Sequence, residues 1–241
     1  MKNKCLLKNL LDEDNFGILA LIDPDLKNDD KLSKILDIIN RNNFLGILVG
    51  GSSIKDDFFE KRLSFLKNNT EKPIILFPGS SNQISPHADA ILFTSLLSGR
   101  NPKYLISEQL KGVESIRKYN LNVIPTGYLL IGSNGRTSVE KISETTPLNP
   151  LDFNNILNHA LVAQYFGMRY IYLECGSGAK ENINPKLVSY LKKHIDISII
   201  VGGGITNKNQ IQNLKKAGAS FVVIGTLLEK VNYDSVFSLF D

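Results

Sequence analysis

The segment YLECGSG at positions 172–178 holds side chains that could do chemistry. Its first residues belong to an apolar stretch typical of a strand, so alternation places Tyr172 and Glu174 on one face, at the strand's end. A phenol and a carboxylate there could bind hydroxyl groups or move a proton, and Ser177 and its flanking glycines could donate hydrogen bonds to an anion. The alternative is a packed tyrosine beside a solvated glutamate.

Two glycine-rich turns follow the last two predicted strands. Gly203 and Gly204 follow the seventh strand, and Gly225-Thr226 follow the eighth and open a short helix. Glycine lets backbone N–H groups approach phosphate oxygens without a Cβ in the way, and a helix N-terminus adds a favourable dipole. Either turn alone could simply close the fold, but the pair indicates a phosphate-binding site.

A carboxylate and a hydroxyl follow the first two predicted strands. Asp23 ends the first strand, and Ser52 follows the Gly50-Gly51 turn after the second. Adjacent strand ends are neighbours, so the two side chains could share one Mg²⁺ together with substrate phosphates. The alternative is that Asp23 is a turn or helix-cap residue.

Apolar strands and amphipathic helices alternate as in an α/β (TIM-type) (β/α)8 barrel, with ligand chemistry on the loops after the strands. Strands are predicted at 16–22, 44–49, 74–77, 90–93, 122–131, 170–173, 199–201 and 221–224. Helices are predicted at 29–42, 56–68, 106–119, 152–166, 185–194 and 208–217. Segment 79–89 is too short for a full crossover helix, so one helix of the ring is expected to be truncated. A doubly wound open sheet is the competing fold, but its glycines would concentrate in the first βα turn.

The composition predicts one barrel domain over 1–241, with no linker or low-complexity division. A net charge of +4 is spread over helical faces, which argues against a nucleic-acid partner and leaves room for local attraction to an anionic substrate or membrane surface. Cys5 and Cys175 lack disulfide or zinc spacing, which favours a reducing, cytoplasmic setting. No apolar run approaches the roughly 20 residues of a membrane span. The first 14 residues are expected to form a soluble helix, and 132–150 a mobile lid.

Five of these motifs occur in order and together resemble the geranylgeranylglyceryl phosphate synthase family, which includes bacterial heptaprenylglyceryl phosphate synthases. They are LIDPD at 21–25, VGGS at 49–52, YLECGSG at 172–178, VGGGI at 201–205 and IGT at 224–226. The similarity covers nearly the whole chain and extends to the longer branch of archaea and Bacteroidetes-type bacteria. That family has a modified TIM barrel in which an irregular segment replaces one helix, which suits 79–89.

The resemblance implies a transferase of ether phospholipid biosynthesis. It would join a prenyl diphosphate, expected to be geranylgeranyl diphosphate, to the 3-hydroxyl of sn-glycerol 1-phosphate and release diphosphate. Asp23 and Ser52 would hold Mg²⁺. Glycerol phosphate would be held by Tyr172, Leu173, Glu174, Cys175, Gly176, Ser177, Gly178, Gly203, Gly204, Gly225 and Thr226. Cys175 stands where a small alanine is expected, although its backbone can still serve. The resemblance also suggests a homo-oligomer, and the lipid product suggests peripheral membrane contact.

Glu174, with Tyr172 beside it, is the acid placed to take the proton of the attacking hydroxyl, and orienting the glycerol hydroxyls is its alternative role. The prenyl tail needs an apolar groove near the truncated helix. Candidates for its lining, each of which could equally be ordinary packing, are Phe93, Leu96, Leu97 and Tyr104.

Two other functions fit the same phosphate site. A phosphosugar isomerase or aldolase would typically need titratable groups after strands 1 and 5, yet strand 5 ends in TGYLLIG at 126–132, without a carboxylate, cysteine or histidine. A non-catalytic phosphate binder would not need Asp23 and Glu174 together.

Overall fold

Eight parallel strands close into a barrel in chain order, with the last strand paired to the first. The structure is a computed structural model and describes residues 16–51, 54, 56–132, 137–176, 182–230, 236 and 239–240. The strands are β1 Gly17–Ile22, β2 Gly46–Val49, β3 Ile74–Leu76, β4 Ala90–Leu96, β5 Asn122–Leu130, β6 Tyr170–Glu174, β7 Ser198–Gly202 and β8 Phe221–Ile224. The barrel prediction is therefore confirmed, and the open sheet is wrong.

Helices surround the barrel at nearly the predicted places. A 3₁₀ helix, Leu26–Lys31, precedes the first α-helix, and a π-helical turn, Lys103–Ser107, precedes the third. The α-helices are α1 Leu32–Arg41, α2 Phe59–Asn69, α3 Glu108–Tyr119, α4 Ser138–Ser143, α5 Phe153–Tyr165, α6 Pro185–Lys192, α7 Lys208–Ala217 and α8 Thr226–Glu229. The predicted lid segment contains α4, with 133–136 outside the described residues, and the predicted N-terminal helix also lies outside them. None of the helices that the structure describes has the length and apolar character to cross a bilayer.

Segment 77–89, between β3 and β4, contains no helix, as its length and composition predicted. It is covered instead by α3, and the approach is close: a Cβ on Gly112 of α3 would lie 2.7 Å from Cδ1 of Ile84. The missing helix leaves the outer side of β4 available to a cavity described below.

The strands are buried on both faces, which explains why they occur as continuous apolar runs in the sequence. One core fills the barrel interior and includes Leu48, Leu92 and Val223. A second lies between the strands and the helices and includes Ile47 and Val201. Because side chains alternate between the two faces of a strand, neighbouring residues belong to different cores. Each strand therefore packs against both the helices and the barrel interior.

Candidate functional site

A cavity of about 540 Å³ opens at the carboxyl ends of the strands. Its polar part is lined by residues that follow β1, β2, β7 and β8 and by Tyr172 and Glu174 of β6. Its apolar part extends past β4 toward α3, into the space left by the missing helix. We call these parts the acceptor end and the apolar arm. Ligand sites of barrel enzymes lie at this face of the fold.

Glu174, the last residue of β6, is buried at the bottom of the acceptor end and is only 6% exposed. Burial raises the pKa of its carboxyl to about 7, partly offset by a hydrogen bond that Gly176 N–H donates to Oε1. The alternative of a solvated glutamate is therefore wrong. A carboxyl group that titrates near neutral pH is matched to general-base chemistry.

Tyr172 lies inside the barrel, fully buried, two residues before Glu174. Its ring stacks on Phe77 at a centroid distance of 4.9 Å and contacts Tyr128 at 5.4 Å. Burial raises the pKa of its phenol well above the usual range, so the hydroxyl stays protonated. That hydroxyl lies near enough to lower the pKa of Glu174, yet it has no hydrogen bond of normal geometry with the described residues. A buried hydroxyl of this kind is one that a ligand can satisfy.

The turns after β6 and β7 pack against each other through glycines with left-handed backbone. Gly203 has φ +85°, and a Cβ there would lie 2.7 Å from Oε1 of Glu174. Gly176 has φ +99°, and a Cβ there would lie 2.1 Å from Cγ2 of Thr137. Only glycine suits both the dihedrals and the contacts. Gly225, the N-cap residue of α8, and Thr226 complete this wall of the cavity.

Asp23 follows β1, the strand paired with β8, and also lines the cavity. Its Oδ2 accepts a salt bridge from Lys27 Nζ at 2.8 Å, whereas its Oδ1 is buried without a hydrogen-bond partner among the described residues. Burial raises the pKa of the Asp23 carboxyl, and the Lys27 ammonium opposes that effect. The helix-cap alternative is wrong for Asp23, because Asp25 caps the 3₁₀ helix through the N–H of Lys27.

The free oxygen of Asp23 fits a divalent cation. A Cβ on Gly51 would lie 2.3 Å from Asp23 Oδ1, so the glycine keeps the turn after β2 close to this oxygen. Mg²⁺ is usually bound through one or two protein oxygens together with substrate phosphates. Ser52, the second predicted ligand, lies outside the described residues, as do Ser177 and Gly178.

The other predicted binding residues divide into two groups. Gly203, Gly204, Gly225 and Thr226 line the cavity with Tyr172 and Glu174. Leu173, Cys175 and Gly176 do not line it: the first two side chains pack in the core beneath the helices, and the N–H of Gly176 donates to Glu174.

The apolar arm includes three of its four predicted residues. Phe93, Leu96 and Tyr104 line it, but Leu97 does not. Leu97 packs in the core beneath the helices, where a Cβ on Gly127 would lie 2.9 Å from its Cδ1. The sequence analysis missed further lining residues, namely Ile84, Ile91, Gly112 and Ile116. The periodicity of β4 and α3 marked Ile91, Gly112 and Ile116 as buried, but it does not distinguish residues that line a cavity from residues packed in a core.

Lys27 is a charged residue of the cavity lining that was not predicted from the sequence. Besides Asp23, its ammonium approaches Glu229 of α8 at 3.8 Å. The sequence feature that could have identified Lys27 is its position four residues after Asp23, in the same short connection. The side chain of Lys27 lines the cavity and is 54% exposed, so its positive charge can attract an anionic group from solvent.

Curated relatives match most of this chain. The geranylgeranylglyceryl phosphate synthase of Flavobacterium johnsoniae is 44% identical over 212 residues, covering 88% of this chain and 87% of that protein. The protein of the same name from Nitrosopumilus maritimus is 38% identical over 231 residues, covering 95% and 91%.

Solved structures agree with these relatives. The wild-type GGGPS from Thermoplasma volcanium has a TM-score of 0.87 at 33% identity, covering 98% of this chain and 94% of that one. The (S)-3-O-geranylgeranylglyceryl phosphate synthase from Thermoplasma acidophilum, solved with its substrate sn-glycerol-1-phosphate, has a TM-score of 0.86 at 30% identity, covering 98% and 96%. The sequence model of the PcrB family matches residues 10–239, nearly the full length. The predicted family resemblance is thereby confirmed, and the chain belongs to the PcrB family.

Proposed function

We propose that this protein transfers a prenyl group from a prenyl diphosphate to the 3-hydroxyl of sn-glycerol 1-phosphate, forming an ether and releasing diphosphate. The observation that carries this proposal is a single cavity that joins a glycine-walled acceptor end to an apolar arm, with buried Glu174 and Tyr172 at the acceptor end. The names of the relatives and the substrate in the Thermoplasma acidophilum structure support it. Geranylgeranyl diphosphate is the donor that those names suggest.

The alternatives explain less of the cavity. An isomerase or aldolase of phosphosugars needs no apolar arm, and the end of β5 supplies Leu130, Ile131 and Gly132 in place of a titratable partner. A non-catalytic phosphate binder needs no buried carboxyl with a pKa near 7. Transfer of an apolar group to a phosphorylated alcohol uses both parts of the cavity.

The acceptor end would bind glycerol phosphate at three points. Backbone N–H groups near Gly203, Gly204 and Gly225 would hold the phosphate. Tyr172 would donate a hydrogen bond to a glycerol hydroxyl, and Glu174 would accept one. Three fixed points distinguish an acceptor from its mirror image, which explains a preference for sn-glycerol 1-phosphate.

The donor diphosphate would lie on the Asp23 side of the mouth. Asp23 and Ser52 would hold Mg²⁺, which when bound neutralises the diphosphate leaving group. Lys27, now paired with Asp23, adds a second positive charge within the same cavity. The apolar arm would hold the tail and exclude water from the reacting carbon.

In the proposed reaction, the bond between the allylic carbon and the diphosphate oxygen breaks, and the electron pair leaves with diphosphate. The glycerol 3-hydroxyl oxygen then forms the ether bond to that carbon. Its proton passes to the Glu174 carboxylate, which is available as a base above a pH of about 7. Tyr172 stays protonated and orients the acceptor.

The proposed product is a lipid, so the outer surface of the apolar arm is where we expect it to pass from the protein to a membrane. α3 lines the arm with Gly112 and Ile116, whereas Ile106, at the π-helical turn before it, and Leu110 are exposed. We therefore expect transient contact with a membrane as product leaves. A cytoplasmic location and a homo-oligomer stay predictions.

The test is an assay of the purified protein with Mg²⁺, either enantiomer of glycerol phosphate, and prenyl diphosphates of graded length. We expect an extractable ether from sn-glycerol 1-phosphate and from one length class of donor. Equal rates with both enantiomers would contradict the three-point acceptor end, and absence of ether with every donor would overturn the proposed function.

A further inference from the structure

Arg62 of α2 is a buried cation that bonds to two separate loops. Its side chain is 4% exposed. Nε and Nη2 donate to the Asp29 carboxylate, the latter at 2.8 Å, and Nη1 and Nη2 donate to the Asp56 carboxylate at 2.7 and 2.9 Å. Nη1 also donates to the carbonyl oxygen of Pro24 at 3.0 Å. The planar guanidinium thus makes two forked contacts and one contact to the main chain.

The bonded groups belong to the loops that bear the proposed metal ligands. Pro24 directly follows Asp23, and Asp29 lies in the 3₁₀ helix of the same connection. Asp56 lies four residues after Ser52 in the connection between β2 and α2. Arg62 itself does not line the cavity. Any effect on the site must therefore pass through these two loops.

Gln83 holds the second loop from the other side. It lies in segment 77–89, which replaces the missing helix, and it is 3% exposed. Its Oε1 accepts from the N–H groups of Gly51 at 3.3 Å and Gly79 at 3.2 Å, and its Nε2 donates to the Gly51 carbonyl at 2.9 Å. Both polar groups of the residue before Ser52 are thereby fixed.

We infer that Arg62, assisted by Gln83, is a positioning residue that sets the separation of Asp23 from Gly50 and Gly51 and so shapes the proposed site for Mg²⁺ and diphosphate. This inference rests on the proposed function. The forked geometry supports it, because a lysine could replace the charge of Arg62 but not two planar contacts to different loops. Partners of metal ligands commonly control metal affinity without touching the metal.

The central test compares Arg62→Lys with the wild type in calorimetric titrations of inorganic diphosphate in the presence of Mg²⁺, and of sn-glycerol 1-phosphate. We expect the Kd for diphosphate with Mg²⁺ to rise about 10-fold or more, the usual scale for such partners. The Kd for glycerol phosphate should stay within about twofold, because the hydrogen bonds of Arg62 go to Pro24, Asp29 and Asp56 and not to the described residues of the turns after β6, β7 and β8. Arg41→Lys is the matched control, since Arg41 forms an exposed pair with Asp37 on α1. That variant should change neither constant.

A second variant keeps the inference testable where Arg62→Lys fails to fold. Gln83→Leu removes the bonds to Gly51 with a side chain of similar size, and it should weaken diphosphate binding selectively by several-fold. Equal weakening of both ligands, or unchanged diphosphate binding in folded Arg62→Lys, would overturn the inference. Failure of the proposed function is a separate result, because it would appear in the wild type as absence of ether formation.

Discussion

The acceptor end and the apolar arm of one cavity are built in different ways. The acceptor end consists of tight turns in which main chain meets main chain, as at Gly203 against Gly176. The apolar arm consists of side chains from β4, α3 and segment 77–89 around a gap in the helical ring. In the proposed function, fixed backbone would thus bind a small polar acceptor, and the shape of the side-chain packing would bind an extended apolar tail. We therefore expect mutations in the acceptor end to affect glycerol phosphate and mutations in the apolar arm to affect the prenyl donor.

Asp23→Asn should have the largest effect, on the donor side. It keeps the shape of the side chain but removes the charge that would bind Mg²⁺, so kcat should fall by on the order of 10³-fold. Steady-state kinetics measures the fall in kcat. Titration of glycerol phosphate should show that acceptor binding changes little. Asp37→Asn, at an exposed pair on α1, is the control. Undiminished Mg²⁺-dependent turnover in Asp23→Asn would remove Asp23 from the metal site.

Glu174→Gln tests the point where both substrates would meet. It should lower kcat by roughly 10²-fold, the scale of a positioned base. Glu114→Gln, an exposed change on α3, should leave kcat unaltered. A loss smaller than about threefold in Glu174→Gln would limit this residue to a structural role.

The same variant should be more stable than the wild type at alkaline pH. The pKa of Glu174 is raised to about 7 in the folded protein, against an ordinary value of 4.5. The folded state therefore favours the protonated form, and the wild type loses this stability as pH rises from about 4.5 through 7. Glutamine removes the loss, so we expect a gain on the order of 2–3 kcal/mol at pH 8 and little at pH 5. Thermal melts at both pH values measure it, and equal Tm values at pH 8 would contradict the assigned burial effect.

Gly203→Ala should damage the acceptor side selectively. A Cβ there would meet Oε1 of Glu174 on a backbone with φ +85°. KM for glycerol phosphate should rise by roughly 10- to 100-fold, with diphosphate binding largely retained. Gly167→Ala is a matched control, because Gly167 has φ +74° with nothing within 4 Å of the added Cβ. That control should lose about 1 kcal/mol of stability and no activity. A similar KM rise in both variants would show backbone strain rather than loss of the acceptor site.

Phe93→Ala should have the smallest effect and should act on donor choice alone. It widens the arm beside β4, so the ratio of kcat/KM values should shift toward longer prenyl diphosphates by about 10-fold. Phe65→Ala, which truncates a partly exposed phenylalanine on α2, is the control for general destabilisation. An unchanged donor preference in Phe93→Ala would place the tail elsewhere.

Local chemistry made much of the barrel predictable. The predicted bounds of α7 match the structure because a capping box of Asn207 and Gln210 starts the helix and Gly218, with φ +99°, ends it. The short length and polar, turn-forming residues of segment 79–89 likewise predicted that one helix of the ring is truncated. β4 was predicted too short, because Thr94 and Ser95 interrupt its apolar run while pairing with β5 continues through them.

The features that escaped prediction depend on distant contacts. Leu97 was assigned to the arm with Leu96, although its side chain lies in the other core. The burial of the Glu174 carboxyl group depends on how the turn after β7 packs over it. Arg62 appeared in the sequence as one more charge on an amphipathic helix, and its partner Asp29 is 33 residues away along the chain. Periodicity identifies a buried face but not its neighbours.

The gap between β3 and β4 has a consequence for how such an enzyme can diversify. The residues around it belong to an irregular connection, to one face of α3 and to β4, whose pairing with its neighbours uses the main chain and not the side chains that line the arm. Substitutions there can lengthen or shorten the space for a hydrocarbon chain while every strand pairing stays intact. Substrate range and folding are thereby under nearly independent selection, and an engineer could randomise this wall without redesigning the scaffold.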